Sequence, residues 1–173
     1  GELRRHGVDT RGIRFGPGRM GLYFLTHGAV RRPSEIIYDR TDSAFARAPE
    51  VCATSDDISG ADWFHISGVT PALGHAAAAA AIAAVRAAQD KGVPVSFDGN
   101  FRTKLWETRR AEAPAILRRM FEHADILFGD ERDIALVLNK EFGDGSADQR
   151  RERAAAAAFE AFPRLKRIAA TIR

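Results

Sequence analysis

Asp98, Asn100 and Arg102 stand two residues apart, directly after the apolar run Val93-Pro94-Val95-Ser96-Phe97. Side chains alternate between faces in an extended segment. This spacing therefore predicts a carboxylate, an amide and a guanidinium on one rim at the exit of a strand. Ligands of open α/β sheets settle outside the carboxyl ends of the strands, and a guanidinium offers a flat donor fork that fits carboxylate or phosphate oxygens. The chemistry suggested is recognition of an anionic small molecule. The competing reading of the same residues is a strand end, an Asx-type turn and a helix entry, with Arg102 solvated and Trp106 packed in the core.

The elements that must position this rim follow from hydrophobic periodicity and breakers. Residues 1–9 read as the tail of a helix stopped at Gly7, so the chain is expected to begin in mid-fold. An extended piece follows at 13–15. Strands at 21–26 and 35–38, joined through His27-Gly28 and Arg32-Pro33, make a half-exposed β-hairpin. Ser55 is expected to cap a short helix, and 62–67 reads as a buried strand. The alanine-rich helix at 75–91 ends at Gly92, the strand at 93–97 follows, and 109–123 is an amphipathic helix. A strand at 125–128, helices at 131–138 and 149–162, and a last strand at 167–172 complete the pattern. Strand alternating with helix predicts parallel βαβ units, hence an α/β doubly wound parallel sheet with a small β lid near its start. The expected division is a β lid segment at 10–45 and a partial α/β core at 46–173, with 1–9 as the end of a core helix.

Composition narrows the function classes. With 173 residues, 45% apolar and 28% charged, the chain can bury a sizeable core. A net charge of +3, with arginines spread over several elements, does not point to nucleic acid. Cys52 is the single cysteine, which excludes an internal disulfide, and His6, His27, His65, His75 and His123 lack zinc-ligand spacing. No apolar run approaches the roughly twenty residues of a membrane span, and no secretory pattern opens the chain, so a cytoplasmic protein is expected. Gly16-Pro17-Gly18-Arg19-Met20-Gly21 matches G-x-G-x-x-G, but the residues after it alternate like a strand rather than opening a helix. It reads as a turn before the hairpin, not a dinucleotide fingerprint. No P-loop motif occurs.

Asp98-x-Asn100-Phe101-Arg102-x-x-Leu105-Trp106 resembles the signature of sugar kinases of the ribokinase (PfkB) family, above all the 2-keto-3-deoxygluconate kinases. Arg19-Met20-Gly21-Leu22-Tyr23-Phe24, with Arg32-Pro33-Ser34, Ile37-Tyr38-Asp39-Arg40 and Ser43-Ala44-Phe45, is similar to the substrate-lid hairpin of those kinases. Trp63-Phe64-His65-Ile66-Ser67-Gly68-Val69-Thr70-Pro71-Ala72-Leu73 resembles their strand and loop beneath the sugar. The three motifs occur in the family's order and cover most of the chain. The resemblance implies a ribokinase-like three-layer fold, ATP and Mg2+ as cofactors, and a sugar-acid substrate. It implies substrate binding at Tyr23, Tyr38, Arg40 and Arg102, with the arginines holding the carboxylate, and nucleotide binding at Asn100, Arg102 and Asp130. Spacing alone puts Tyr38 and Arg40 on one face, with Tyr23 joining them if the hairpin register permits; cross-strand packing is the competing reading. Asp130-x-x-Asp133 falls where the family carries Asn-x-x-Glu and so implies a magnesium role. An acidic helix N-terminus is the alternative there.

The family's Gly-Ala-Gly-Asp segment, which supplies the base and the anion hole, is not in these residues, and neither is its early glycine pair. The chain thus reads as the middle portion, about half, of a complete kinase and is expected to be inactive alone. For the intact protein the resemblance implies ATP-dependent, magnesium-assisted phosphorylation of 2-dehydro-3-deoxy-D-gluconate. The alternatives are a sister kinase acting on fructose or 5-dehydro-2-deoxygluconate, or a non-catalytic dimerising fragment. A homodimer through the β lid is expected, because two-stranded hairpins are marginal alone and their edges recruit partners.

Overall fold

Two antiparallel strands and, separately, four parallel ones make up the β structure of the computed structural model, which describes residues 1–49 and 55–171. Cys52 and the expected strand end at Ile172 lie outside the described residues. The chain divides into two units, Gly1–Cys52 and Ala53–Arg173.

In the first unit, α1 (Glu2–Arg5) stops where Gly7 takes a φ of 74°, a left-handed turn open to glycine at no steric cost. Strands β1 (Leu22–Thr26) and β2 (Glu35–Asp39) pair with Tyr23 opposite Tyr38 and Phe24 opposite Ile37. Their connection folds back on itself so closely that a Cβ on Gly28 would lie 2.4 Å from the Arg32 carbonyl oxygen. The short helix α2 (Ala44–Arg47) is capped by the Ser43 hydroxyl, which accepts from the Ala46 N–H at 3.3 Å. The hairpin was expected to be half exposed, yet both its faces are open: Leu22, Phe24 and Ile37 are 48%, 56% and 55% exposed, as are Tyr23 and Tyr38 at 65% and 45%. A two-stranded sheet has no second layer of its own, so alternation cannot give it an inside.

The second unit runs α3 (Ser55–Ile58), β3 (Phe64–Ser67), α4 (Val69–Ala72), α5 (His75–Asp90), β4 (Val95–Asp98), α6 (Ala113–His123), β5 (Ile126–Phe128), α7 (Glu131–Leu138), α8 (Ala147–Ala161) and β6 (Arg167–Ala169). Ser55 lies inside α3 rather than capping it, and α2 and α4, each of four residues, had no periodic signal to announce them. Alanines at 77, 81, 84 and 88 let α5 pack closely, and Gly92, at φ 72°, ends it. Ser146 and Gln149 form a capping box at the start of α8.

The sheet order is β3-β4-β5-β6, all parallel. Crossovers between parallel strands are right-handed almost without exception, so strands added always in one direction put their helices on one face. The alternate residues Ile66, Val95, Phe97 and Leu127 are accordingly buried against the helices, with Phe97, Phe121 and Phe162 stacked edge to face at 5.7 and 5.4 Å. The other face carries Trp63 and Phe128, 45% and 42% exposed. On it the buried Ser96 hydroxyl accepts from Trp63 Nε1 at 2.8 Å and is hydrogen-bonded to His65 Nδ1, also at 2.8 Å. A doubly wound sheet covers its second face only where the winding reverses, and no reversal occurs among the described strands. Among the described residues no helix is long and apolar enough to cross a membrane.

At the amino edge of the sheet, Asp125 is 2% exposed and joins three strand entries. Its carboxylate accepts from the Val95 N–H at 3.0 Å and from Arg164 Nη2 at 3.1 Å, and faces Lys166 Nζ at 3.0 Å. Burial pushes its pKa up, but the Val95 N–H and the two cations outweigh that and hold it below the ordinary carboxylate value. A carboxyl with a depressed folded-state pKa stabilises above its unfolded value and loses that contribution as pH falls through the folded one. Asp125→Asn should lower stability at pH 7 by about 2–4 kcal/mol, because it leaves Arg164 and Lys166 without their counter-charge. Thermal melts of both proteins should converge as pH drops below the ordinary carboxylate range.

Candidate functional site

Each of the first three parallel strands is followed by glycine: Gly68 after β3, Gly99 after β4 and Gly129 after β5. Their N–H groups donate to the next strand's carbonyls, Gly68 to Asp98 at 2.7 Å, Gly99 to Phe128 at 2.8 Å and Gly129 to Ala169 at 3.0 Å. The ladder thus continues one residue past the side-chain-bearing strands. A Cβ on Gly68 would lie 2.1 Å from the Gly99 carbonyl oxygen, so glycine is required there. This carboxyl edge is where open α/β sheets hold ligands.

The rim residues are not arranged as simple alternation predicts. Extended geometry ends after Gly99, and Asn100 takes a left-handed φ of 39°, which asparagine tolerates better than most residues. Its Nδ2 donates to Ser67 Oγ on the neighbouring strand exit at 3.2 Å. Arg102 then precedes a 3-10 turn (Thr103–Leu105), with its carbonyl accepting from the N–H groups of Leu105 at 2.9 Å and Trp106 at 3.3 Å. Trp106 is 1% exposed, as core packing requires, whereas Arg102 is exposed and its guanidinium has no hydrogen-bond or ion-pair partner among the described residues. Both readings of the nine-residue motif are therefore realised at different positions. Ser67 and the glycine row were missed, although a glycine closing each expected strand is visible in the residue order.

Asp130 and Asp133 form a capping box on α7. Asp130 accepts from the N–H groups of Arg132 and Asp133, and Asp133 Oδ2 accepts from the Asp130 N–H at 3.0 Å. Asp130 also grips the Arg132 guanidinium, Nε at 3.0 Å and Nη2 at 2.6 Å. Partial burial raises its pKa, and Arg132 with the backbone donors brings it below the ordinary value. Asp133 goes the other way: burial pushes it up, and the charges of Asp130 and Asp98 add to that. Its carboxyl lies 3.1–3.3 Å from where a Cβ on Gly99 would be and 3.1 Å from one on Gly129, so the glycines make room for it. The Asp98 carboxylate has no hydrogen-bond partner among the described residues. Two carboxylates, one with an oxygen to spare and one unpaired, suit a hard cation that binds through one or two carboxylates and retained waters. Asp130, its oxygens already engaged, suits it less. No group of three or more candidate ligands occurs among the described residues.

In the other unit, the register puts Tyr23 beside Tyr38, and the Arg40 guanidinium lies 4.5 Å from the centre of the Tyr38 ring. Arg40 has no carboxylate partner among the described residues, whereas Arg19 nearby pairs with Asp39 through Nη1 at 2.9 Å. By alternation Tyr23, Tyr38 and Arg40 share one hairpin face, and Leu22, Phe24 and Ile37 the opposite one.

Comparison with known proteins agrees with these features. The model of the pfkB family of carbohydrate kinases matches residues 1–168. The crystal structure of 2-dehydro-3-deoxygluconokinase from Thermotoga maritima superposes with a TM-score of 0.88 at 35% identity, over 99% of this chain and 51% of that one. Among curated proteins, a 2-dehydro-3-deoxygalactonokinase of Haloferax volcanii is 34% identical over 79% of this chain and 42% of its own length. A probable fructokinase of Arabidopsis thaliana is 32% identical over 80% of this chain and 36% of its own. The chain thus spans about a third to a half of the length of these proteins, and its fold is ribokinase-like.

A carboxyl whose pKa is raised on folding costs stability above that pKa and costs nothing below the unfolded value. Asp133→Asn keeps an acceptor for the Asp130 N–H and removes the charge. It should raise the melting temperature at pH 7, a gain that shrinks to nothing as pH falls toward about 4. An unchanged or lowered melting temperature at pH 7 contradicts the repulsion described.

Proposed function

The chain belongs to the pfkB family of carbohydrate kinases, and on that premise we propose that the full-length protein carrying it uses ATP to phosphorylate a keto-deoxy sugar acid, 2-dehydro-3-deoxy-D-gluconate in the first place. The observation that carries this reading is where two of the arginines without an anionic partner among the described residues stand: Arg102 just past the β4 exit at the sheet's carboxyl edge, and Arg40 at the end of β2 over the Tyr38 ring. A guanidinium left unpaired while Arg19, Arg109, Arg132 and Arg164 hold carboxylates is available for a ligand's negative charge. A neutral hexose would give Arg40 nothing to bind. In this reading residues 10–45 are a lid and 46–173 part of the core. Tyr23 and Tyr38 are proposed to offer ring surface to the sugar, and Arg40 and Arg102, each taken within its own unit, to offer positive charge to an acidic group.

Asn100, Arg102 and Asp130 are proposed to face the nucleotide; Asp130, negative like the phosphates, would do so only with a bound cation to offset the charge. Asp133, assisted by Asp98, is the better-placed holder of Mg2+, and Asp130 the poorer. When bound, Mg2+ would offset charge on the transferring phosphoryl group. No residue of this chain is assigned the role of base.

Sugar-dependent ATP consumption by the full-length protein should favour keto-deoxy sugar acids over fructose, and a preference for fructose overturns the substrate assignment. Arg102→Ala should weaken sugar-acid affinity by roughly 10- to 150-fold, the equivalent of about 1.5–3 kcal/mol for a charged hydrogen-bond partner, with the melting temperature little changed. Parallel loss of both would mark a structural arginine instead.

The partner proposed for the hairpin is a second copy of the protein, seated on the Leu22, Phe24 and Ile37 face and leaving the tyrosine face to substrate. Light scattering should give a dimer for the wild type and a monomer for Phe24→Asp. A wild-type monomer rules this out.

A further inference from the structure

We infer that Ser67 is a positioning residue for substrate binding: its hydroxyl, by holding Asn100 in the left-handed turn, aims the unpaired Arg102 at the ligand. The inference rests on the proposed sugar-acid reading and adds to it a residue that never touches substrate.

The geometry behind it is a closed circuit of contacts at the exits of β3 and β4. Ser67 Oγ accepts from Asn100 Nδ2 at 3.2 Å and from the Val69 N–H at 3.4 Å, so the hydroxyl ties the Asn100 turn to its own loop. Four residues further on, the Pro71 carbonyl accepts from Arg109 Nη1 at 3.3 Å, and the Arg109 guanidinium lies 5.4 Å from the centre of the Trp106 ring. The Trp106 N–H returns to the Arg102 carbonyl. The Arg102 carbonyl is therefore held on its far side by the backbone N–H groups of Leu105 and the buried Trp106, while on its near side a single side-chain hydrogen bond secures a turn that a non-glycine residue enters at some cost.

Nothing else among the described residues holds the Asn100 side chain, and nothing at all holds the Arg102 guanidinium. Loss of the Ser67 hydroxyl leaves the 3-10 turn in place through Trp106 but frees the two residues before it. A long side chain that must place a planar fork on a carboxylate loses affinity when its root can swing, because ordering it then falls to the ligand. The close approach of Gly68 to Gly99 keeps the strand exits together in either case, so the effect belongs to binding more than to folding.

The test uses the full-length protein and three readouts: KM for the sugar acid, kcat and melting temperature. Ser67→Ala should raise KM for the acid about fivefold, the worth of one net hydrogen bond, with kcat and melting temperature nearly unchanged. Ser67→Thr, which keeps a hydroxyl, should restore it. Asn100→Gly, free to adopt the positive φ without the amide, should raise KM for the sugar acid as Ser67→Ala does, whatever it does to kcat and to KM for ATP through the proposed nucleotide role of Asn100, and the double variant should raise KM for the acid no further than either single one. Additive losses in the double variant, an unchanged KM in Ser67→Ala, or an equal fall in melting temperature and kcat each overturn the inference. Arg102→Ala separates the two layers of the argument. If it raises KM while Ser67→Ala does not, only the positioning role fails; if Arg102→Ala itself leaves KM unchanged, the sugar-acid reading fails.

Discussion

Where the parallel strands end, backbone must meet backbone, and residues without side chains allow it. Gly68 passes so near the Gly99 carbonyl that no Cβ fits, and Gly99 and Gly129 leave their volume to the Asp133 carboxyl. The three glycine N–H groups are satisfied by the adjoining strand rather than by ligand or water. The edge is thereby rigid in its backbone and free in its side chains. Asp98, Asp133 and Arg102 project from it with charges that the fold itself does not neutralise.

The opposite edge of the same sheet is built on the reverse principle. Asp125 is buried there with two cations and a backbone donor, every charge matched within about 3 Å. Matched charge is concentrated at the amino edge and unmatched charge at the carboxyl edge, a separation that parallel strands make possible because all their exits lie together. A carboxyl raised by burial and like charge, as Asp133 is, marks a place where folding is not the quantity being optimised.

Several features were legible because they are local. The alanine-rich α5 with Gly92, the start of α7 at Glu131 and the existence of the hairpin all follow from periodicity and turn chemistry read a few residues at a time, whereas the register that sets Tyr23 opposite Tyr38 came from the structure. An acidic helix N-terminus at Asp130 to Asp133 was the expected alternative to a metal role, and the structure has α7 begin there, with the two carboxyls forming a capping box not expected from the sequence. The exposure of both hairpin faces and the single helical layer were not legible, because neither is a property of a segment. The first depends on what lies beside the strands, and the second on the direction in which successive crossovers add them.

Residue order by itself determined the alternation of strand and helix, the apolar face of each, and the chemical types at the strand exits, since propensity and spacing act over a few residues. The tertiary structure decided that Asn100 turns to Ser67 instead of following Asp98 and Arg102 along a common rim. It also decided that Asp130 is taken by Arg132 while Asp98 and Arg102 stay unpaired. Those outcomes depend on groups more than thirty residues apart, such as Ser67 and Asn100, or on competition among neighbours for the same oxygen. Only the folded backbone brings such groups within hydrogen-bonding distance and so selects which of the possible partners is used.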